Sequence, residues 1–341
     1  MPRTFRFVAA AAVLTLAAGV LLAAPAGAVD TPTTSRIKGD DRYATSAKIG
    51  DSFEPWGTNE GVIYIASGVN FPDALSAAPA AALQGGLLML TAPGSLPAVV
   101  KQQIARLNPS YIKVVGGEAA VSEDVFDELL PLAPNVVRIA GADRYETSRL
   151  IVIDAFLARA HGDTAYIATG LNFPDALSAA SAAGSEQSPV LLVNGLAGSV
   201  DKPTIDVLKL IGLTKVYLAG GMSVLTSGIE NSFDAEPTVT DVIRFAGANR
   251  YDTSVKINNY VFPEGRAAAF LATGTGFADA LGGAAFAGLL DSPLYITPGN
   301  CVERGVYDDI VRLGPNHVFL FGGTAALSEN VAALVPCDEL E

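Results

Sequence analysis

Histidine is almost missing from this chain of 341 residues: His161 and His317 are the only two, too few for a multi-histidine zinc centre. Cysteine is as scarce, and Cys301 and Cys337 alone cannot build a four-cysteine zinc site or an iron–sulfur framework. Positive charge is also short. Lys and Arg number 22 against 35 Asp and Glu, a formal charge of −13. A nucleic-acid binder carries a basic footprint, so no nucleic-acid partner is expected. Charged residues make up only 17% of the chain and hydrophobic ones 50%, which excludes a disordered polymer. Past the first few dozen residues no apolar run is long enough to span a bilayer, because Asp, Pro and Gly interrupt every Ala-rich stretch.

The first segment reads as an export signal. Arg3 and Arg6 supply a positive start, Phe7 to Leu22 an apolar core broken only by Thr15 and Gly19, and Ala26-Gly27-Ala28 a small-x-small cleavage site. Cleavage after Ala28 removes two arginines and no acid, taking the charge from −13 to −15. The expected organisation is a signal peptide at 1–28, a lead-in at 29–35 and three modules at 36–137, 138–243 and 244–341. The protein is then secreted, with no membrane span after cleavage and no room for a separate effector domain.

The modules are one unit written three times. Arg36-Ile37-Lys38-Gly39-Asp40-Asp41-Arg42-Tyr43-Ala44-Thr45-Ser46 recurs as Arg138 to Ser148 and as Arg244 to Ser254. A second block, Ala66-Ser67-Gly68-Val69-Asn70-Phe71-Pro72-Asp73-Ala74-Leu75-Ser76, recurs as Ala168 to Ser178 and as Ala272 to Gly282. A Gly-Gly pair follows a strand each time, at Gly116-Gly117, Gly220-Gly221 and Gly322-Gly323. A period of about 100 residues is domain-sized, unlike that of a short-repeat solenoid.

Within the second module, Val136 to Ile139 reads as a strand and Arg144 to Ala160 as a helix with Asp143 at its N-cap. Ala165 to Ala168 is a short apolar strand. Pro174 opens a helix of Ala, Leu and Ser that runs to about Gly184. Pro189 to Val193 is a continuous apolar run, as in a strand buried on both faces. Thr204 to Ile211 reads as helix, Lys215 to Ala219 as strand, and another helix begins near Thr226. This alternation predicts an α/β fold: three similar open modules with mostly parallel sheets.

These blocks together resemble the cell-wall-binding repeat type 2 family, from Arg36 to about Pro336. The resemblance implies three repeats packed with pseudo-threefold symmetry. It also implies non-covalent, non-catalytic attachment to a Gram-positive envelope, in the manner of surface-layer proteins. The implied partner is an anionic cell-wall polysaccharide or other secondary wall polymer. Two other readings stay open: a structural or interaction protein presenting a partner-binding surface at the wall, or a regulator or relative of wall hydrolases of the N-acetylmuramoyl-L-alanine amidase type that lacks the catalytic domain. The third repeat departs from the pattern. Asn249 stands in place of Asp, Gly276-Phe277-Ala278 in place of Asn-Phe-Pro, and Gly282 in place of Ser, which leaves the ligand contacts of module three open.

Arg42, Arg144 and Arg250 each open a helix, and a guanidinium beside an open helix N-terminus suits phosphate or carboxylate. The bland alternative is a structural bridge of Arg42 to Asp73, Arg144 to Asp175 and Arg250 to Asp279. Tyr43, Tyr145 and Tyr251 would give aromatic support to a sugar-phosphate ligand. Ser67, Thr169 and Thr273 end strands where open parallel sheets bind ligands. Tight turns with positive φ account for the adjoining glycines and for the Gly-Gly pairs. No cofactor is required, although divalent cations could bridge acids and phosphates. Catalysis has little support: each block carries one acid without a partner, no Gly-x-Ser-x-Gly elbow occurs, and neither histidine recurs. In an exported chain Cys301 and Cys337 are expected to form a disulfide, closing a loop of about 36 residues and pinning the end of module three, which has no following repeat.

Overall fold

The computed structural model describes residues 32–56 and 61–340; the expected signal peptide lies outside them. Strand and helix alternate throughout. β1 (Thr33–Ile37) leads to α1 (Arg42–Ile49), β2 (Val62–Ser67), α2 (Pro72–Leu83), β3 (Leu87–Thr91), α3 (Ala98–Leu107), β4 (Tyr111–Val115), α4 (Glu123–Leu129) and β5 (Asn135–Ile139). The second copy runs α5 (Arg144–Phe156), β6 (Thr164–Thr169), α6 (Pro174–Ser185), β7 (Val190–Val193), α7 (Lys202–Ile211), β8 (Lys215–Ala219), α8 (Ser227–Asp234) and β9 (Asp241–Phe245). The third runs α9 (Arg250–Val261), β10 (Ala268–Thr273), α10 (Ala278–Leu289), β11 (Leu294–Thr297), α11 (Arg304–Leu313), β12 (His317–Phe321) and α12 (Glu329–Ala332). The helix expected over 144–160 stops at Phe156, whose ring meets His161 edge-on.

Three four-stranded sheets result, in the orders β3-β2-β4-β5, β7-β6-β8-β9 and β11-β10-β12-β1, and every pair of these strands is parallel. This is the expected class of three similar α/β modules. The sheets, however, are offset by one strand from the sequence repeats. β5 opens the second repeat yet pairs with β4, Ile139 lying opposite Val115; β9 likewise pairs with β8. β1 pairs with β12, Ile37 lying opposite Phe321, and so completes the sheet of the third lobe. Module three therefore does have a following strand, contrary to expectation: the first repeat supplies it, and the three lobes close into a ring.

The central strands are apolar because helices cover both faces: all six residues of β2 and of β6 are buried. The segments Leu87–Leu90, Val190–Leu192 and Leu294–Ile296 are buried too, although β3, β7 and β11 are edge strands. A helix lies along each edge, and a serine on it takes up a strand amide. Ser46 Oγ accepts from Leu90 N at 3.0 Å, Ser148 Oγ from Leu192 N at 2.9 Å and Ser254 Oγ from Ile296 N at 3.3 Å. The edge is thereby closed to stray pairing.

α2, α6 and α10 pack on one another about the ring axis. They are built of Ala, Ser and Gly, and their inner faces nearly touch. A Cβ at Gly184 would lie 3.0 Å from Ala82 Cβ and 3.1 Å from Gly288 Cα, and one at Gly288 would lie 2.9 Å from Gly184 Cα. The other end of the bundle is filled by Phe71, Phe173 and Phe277, whose ring centroids are 5.6–5.8 Å apart.

Cys301 and Cys337 form the expected disulfide. It does not substitute for a missing strand, since β1 fills that place. It ties the tail after α12 to the start of α11, where Val302 N donates to Val335 O and Cys337 N to Val302 O.

Two outcomes are expected. Gly288→Leu should lower stability by about 1–3 kcal/mol or more through overpacking of the axis, read as a shift in denaturation midpoint. Reduction of the disulfide, or the double change to serine, should cost about 3–4 kcal/mol for a separation of 36 residues; an unchanged midpoint would show that the tail contributes nothing.

Candidate functional site

Each candidate arginine sits where the chain passes from one lobe to the next. β1, β5 and β9 end in the sheet of the preceding lobe, and α1, α5 and α9 begin in the following one. The helix starts are closed by their own caps. Asp41 Oδ1 accepts from Ala44 N at 2.8 Å, Asp143 Oδ1 from Tyr145 N at 2.9 Å and Glu146 N at 2.8 Å, and Asn249 Oδ1 from Tyr251 N at 2.8 Å and Asp252 N at 2.9 Å. The expected open helix N-terminus is therefore not available to an anion. Asn249 caps as its aspartate counterparts do, so this departure of the third repeat is conservative.

The arginines themselves are exposed. Each uses one Nη1 donor on the carbonyl of a strand-end glycine: Arg42 on Gly68 O at 2.6 Å, Arg144 on Gly170 O at 2.5 Å and Arg250 on Gly274 O at 2.6 Å. Among the described residues no carboxylate pairs with them within 4 Å, and each makes only this one hydrogen bond through its guanidinium. The adjacent tyrosines are half-buried, and their rings press on the same glycines. A Cβ at Gly68 would lie 2.5 Å from Tyr43 Cε1, at Gly170 2.8 Å from Tyr145 Cε1 and at Gly274 2.5 Å from Tyr251 Cε1. Close approach, and not the expected positive φ, explains these glycines. The first glycines of the Gly-Gly pairs do adopt it: Gly116, Gly220 and Gly322 have φ of 100°, 122° and 106°.

Against those glycines lie the acids. A Cβ at Gly116 would stand 2.4 Å from Asp73 Oδ2, at Gly220 2.8 Å from Asp175 Oδ2 and at Gly322 2.6 Å from Asp279 Oδ2. Burial raises the pKa of all three, that of Asp175 to about 6, and a cation from the next repeat partly offsets this. That cation is Arg144 for Asp73, Arg250 for Asp175 and Arg42 for Asp279; the Thr253 and Thr45 hydroxyls also favour the charged forms of Asp175 and Asp279. The pairing expected within each module is thus corrected. Because the strand before each arginine belongs to the preceding lobe, the arginine faces that lobe's acid, cyclically and beyond bridging distance.

Ser67, Thr169 and Thr273 are buried, and their hydroxyls accept the amides of Val69, Leu171 and Thr275 at 3.2–3.3 Å, which makes them turn-formers first. Two sets of residues escaped the sequence reading. Phe71, Phe173 and Phe277 join the arginine positions to the axis, and Arg42 Cζ lies 6.0 Å from the Phe277 centroid. Their signal was an aromatic fixed before each Asp-bearing helix. Arg138 and Arg244 brace the first two Gly-Gly turns: Arg138 Nη1 donates to Gly116 O and Val121 O and Arg244 Nη1 to Gly220 O and Leu225 O, whereas Arg36 in the closing strand gives Nη2 to Ser328 O, beyond the third turn. Among the described residues no group of three or more His, Cys, Asp or Glu could hold a metal ion, and no helix is long and apolar enough to cross a membrane.

The family model described as cell wall binding domain 2 matches residues 36–126, 138–230 and 244–332, and the chain belongs to that family. It is similar to N-acetylmuramoyl-L-alanine amidase LytC of Bacillus subtilis (strain 168), 27% identical over 316 residues, 92% of this chain and 60% of that protein. It is also similar to the amidase enhancer of the same strain, 28% identical over 302 residues, 87% of this chain and 39% of that one. The chain thus spans less than two thirds of either relative. Among solved structures it resembles Cwp6 from Clostridium difficile, with a TM-score of 0.79 at 25% identity over 89% of this chain and 48% of that one. Cwp8 from the same organism gives 0.77 at 23% identity over 89% and 51%, a likeness of fold.

A folded-state value near 6 for Asp175, above the ordinary 3.8, means that between these values the folded chain holds a proton the unfolded chain has lost. Stability from this group is therefore present below about pH 4, falls as pH rises to about 6, and is absent above. Asp175→Asn should gain up to about 3 kcal/mol over wild type at pH 7.5, and the gain should shrink toward pH 4. Denaturant midpoints against pH for both proteins test this; parallel profiles would refute it.

Proposed function

We propose that the chain is a non-catalytic, non-covalent anchor that holds itself on the bacterial cell wall by binding an anionic secondary wall polymer. One observation carries this reading: at each of three lobe junctions an exposed arginine is fixed by a bond to a glycine carbonyl, its remaining donors without a partner among the described residues, beside aromatic side chains. A guanidinium so held is preorganised for phosphate or carboxylate. Membership of the cell wall binding domain 2 family supports the reading. Linked weak sites on one chain raise the effective concentration for a repeating polymer without new contacts. The surplus of acids, −13 overall, opposes approach to a polyanion. The arginine ring supplies local attraction, and divalent cations bridging acid and phosphate would assist it. Export through the 1–28 signal and location at the cell surface belong to the same proposal.

A second reading has a specific observation behind it. The two curated relatives are, by name, an amidase and an amidase enhancer. The chain could then present a surface to a wall hydrolase supplied by another chain.

Purified sacculi, before and after extraction of secondary polymers, separate the two. The anchor reading expects sedimentation with intact sacculi, loss on extraction and release at high ionic strength. Changing Arg42, Arg144 and Arg250 together to Gln should weaken retention at least tenfold while the fold is kept. Binding indifferent to extraction and to the triple change would overturn it. A chelator that releases the protein would assign part of the binding to divalent cations.

A further inference from the structure

The three junctions are alike in backbone but not in the loop that feeds the axial helix. The first two copies read Val69-Asn70-Phe71-Pro72 and Leu171-Asn172-Phe173-Pro174, and the third reads Thr275-Gly276-Phe277-Ala278. Nothing in the fold demands glycine at 276. It has no left-handed φ, and a Cβ there would meet only Thr273 Cγ2 at an ordinary 3.6 Å. A side chain at 276 would project into free space, and that space is a cleft of about 480 Å³ on the junction of the third lobe with the first. It lies within the size range of small-molecule sites.

The lining has a definite chemistry. Arg42 comes from the first lobe, Phe173 from the second, and Thr273, Thr275, Phe277 and Asp279 from the third. Arg42 gives Nη1 to Gly68 O, and its Cζ stands 6.0 Å from the centre of the Phe277 ring. The Thr273 and Thr275 hydroxyls are 2.9 Å apart. At the position of Thr275 the other copies expose bare hydrocarbon, Val69 at 51% and Leu171 at 47%. The lining thus offers a guanidinium, aromatic rings, hydroxyls and a carboxyl. An acidic sugar matches this set: its apolar ring face lies on phenylalanine, its hydroxyls meet threonine and Asp279, and its acid group meets the guanidinium.

We infer that the third junction holds an open saccharide pocket, that it takes a single acidic hexose unit, and that Gly276 and Ala278 are the residues that open it. The degenerate repeat then adds room for one sugar unit beside the arginine contact that all three junctions share. The inference rests on the wall-polymer reading for its biological ligand but not for its chemistry.

Calorimetric titration of the full chain tests it, with a hexose 1-phosphate and a hexuronic acid as probes and the neutral hexose as control. The expected result is one site for at least one acidic probe and at least tenfold weaker binding of the neutral sugar. Gly276→Asn with Ala278→Pro, which restores the residues of the other copies, should weaken the acidic probe at least tenfold with an unchanged melting temperature. Thr275→Leu, a change on an exposed loop, should weaken it about three- to tenfold and serves if the double variant misfolds. Asn70→Gly with Pro72→Ala should raise the stoichiometry toward two. Three equal sites, no binding of either acidic probe, or full affinity in the filled and Thr275→Leu variants would each overturn the inference. Sacculus sedimentation of the same proteins keeps the readings apart. Undiminished retention of the filled variant would leave the anchor standing and remove the pocket as its means. Probe binding without sacculus binding would do the reverse.

Discussion

Three helices can share one axis only where the side chains facing it are nearly absent. In α2, α6 and α10 they are: Ala82, Gly184 and Gly288 bring backbones to within van der Waals contact, and small residues line the rest of the bundle. That closeness decides what happens at the opposite end. The helix starts converge there, three phenylalanines fill the gap, and Asp73, Asp175 and Asp279, each the second residue of its helix, are carried into half-buried positions. Burial makes those acids reluctant to ionise, and cations are then needed nearby. The arginines stand where they do because the helix packing has already placed the charges they answer.

The second organising feature is the handover of one strand per repeat. A sheet of three strands from its own repeat and one from the next cannot be cut out without leaving an unpaired edge. Each lobe is thus bound to its neighbour by a ladder of backbone hydrogen bonds as well as by apolar contact. The bracing arginines show the same economy: Arg138 lies on the lent strand and holds the Gly-Gly turn of the lobe that borrows it. The residue that belongs to one repeat in sequence works for another in space.

Much of this was legible in the chain. The alternation of apolar runs with capped helices gave the α/β class, and Asp143, Pro174 and the Val190–Val193 strand took the expected parts. The disulfide followed from two cysteines in one repeat. What could not be read was anything that depends on which repeat partners which. Arg42 and Asp73 are close in sequence and share a block pattern, so the simplest pairing was within the module; the ring instead sets Arg42 beside Asp279. The glycines after Ser67, Thr169 and Thr273 looked like turn residues. Their real constraint is a tyrosine ring arriving from another element, and no local pattern announces that. The phenylalanines were visible as repeated letters, but their common destination needed the axis.

The pairing of β1 with β12 joins Thr33 to His317 and Ile37 to Phe321, across nearly the whole described chain. A polypeptide emerging from its amino end makes β1 first and must keep it unpaired until β12 exists. Contacts so distant in sequence form slowly, because most of the chain has to be ordered before they are rewarded. The third sheet therefore cannot be completed before the last repeat has been made. Only that closure gives the third sheet its fourth strand.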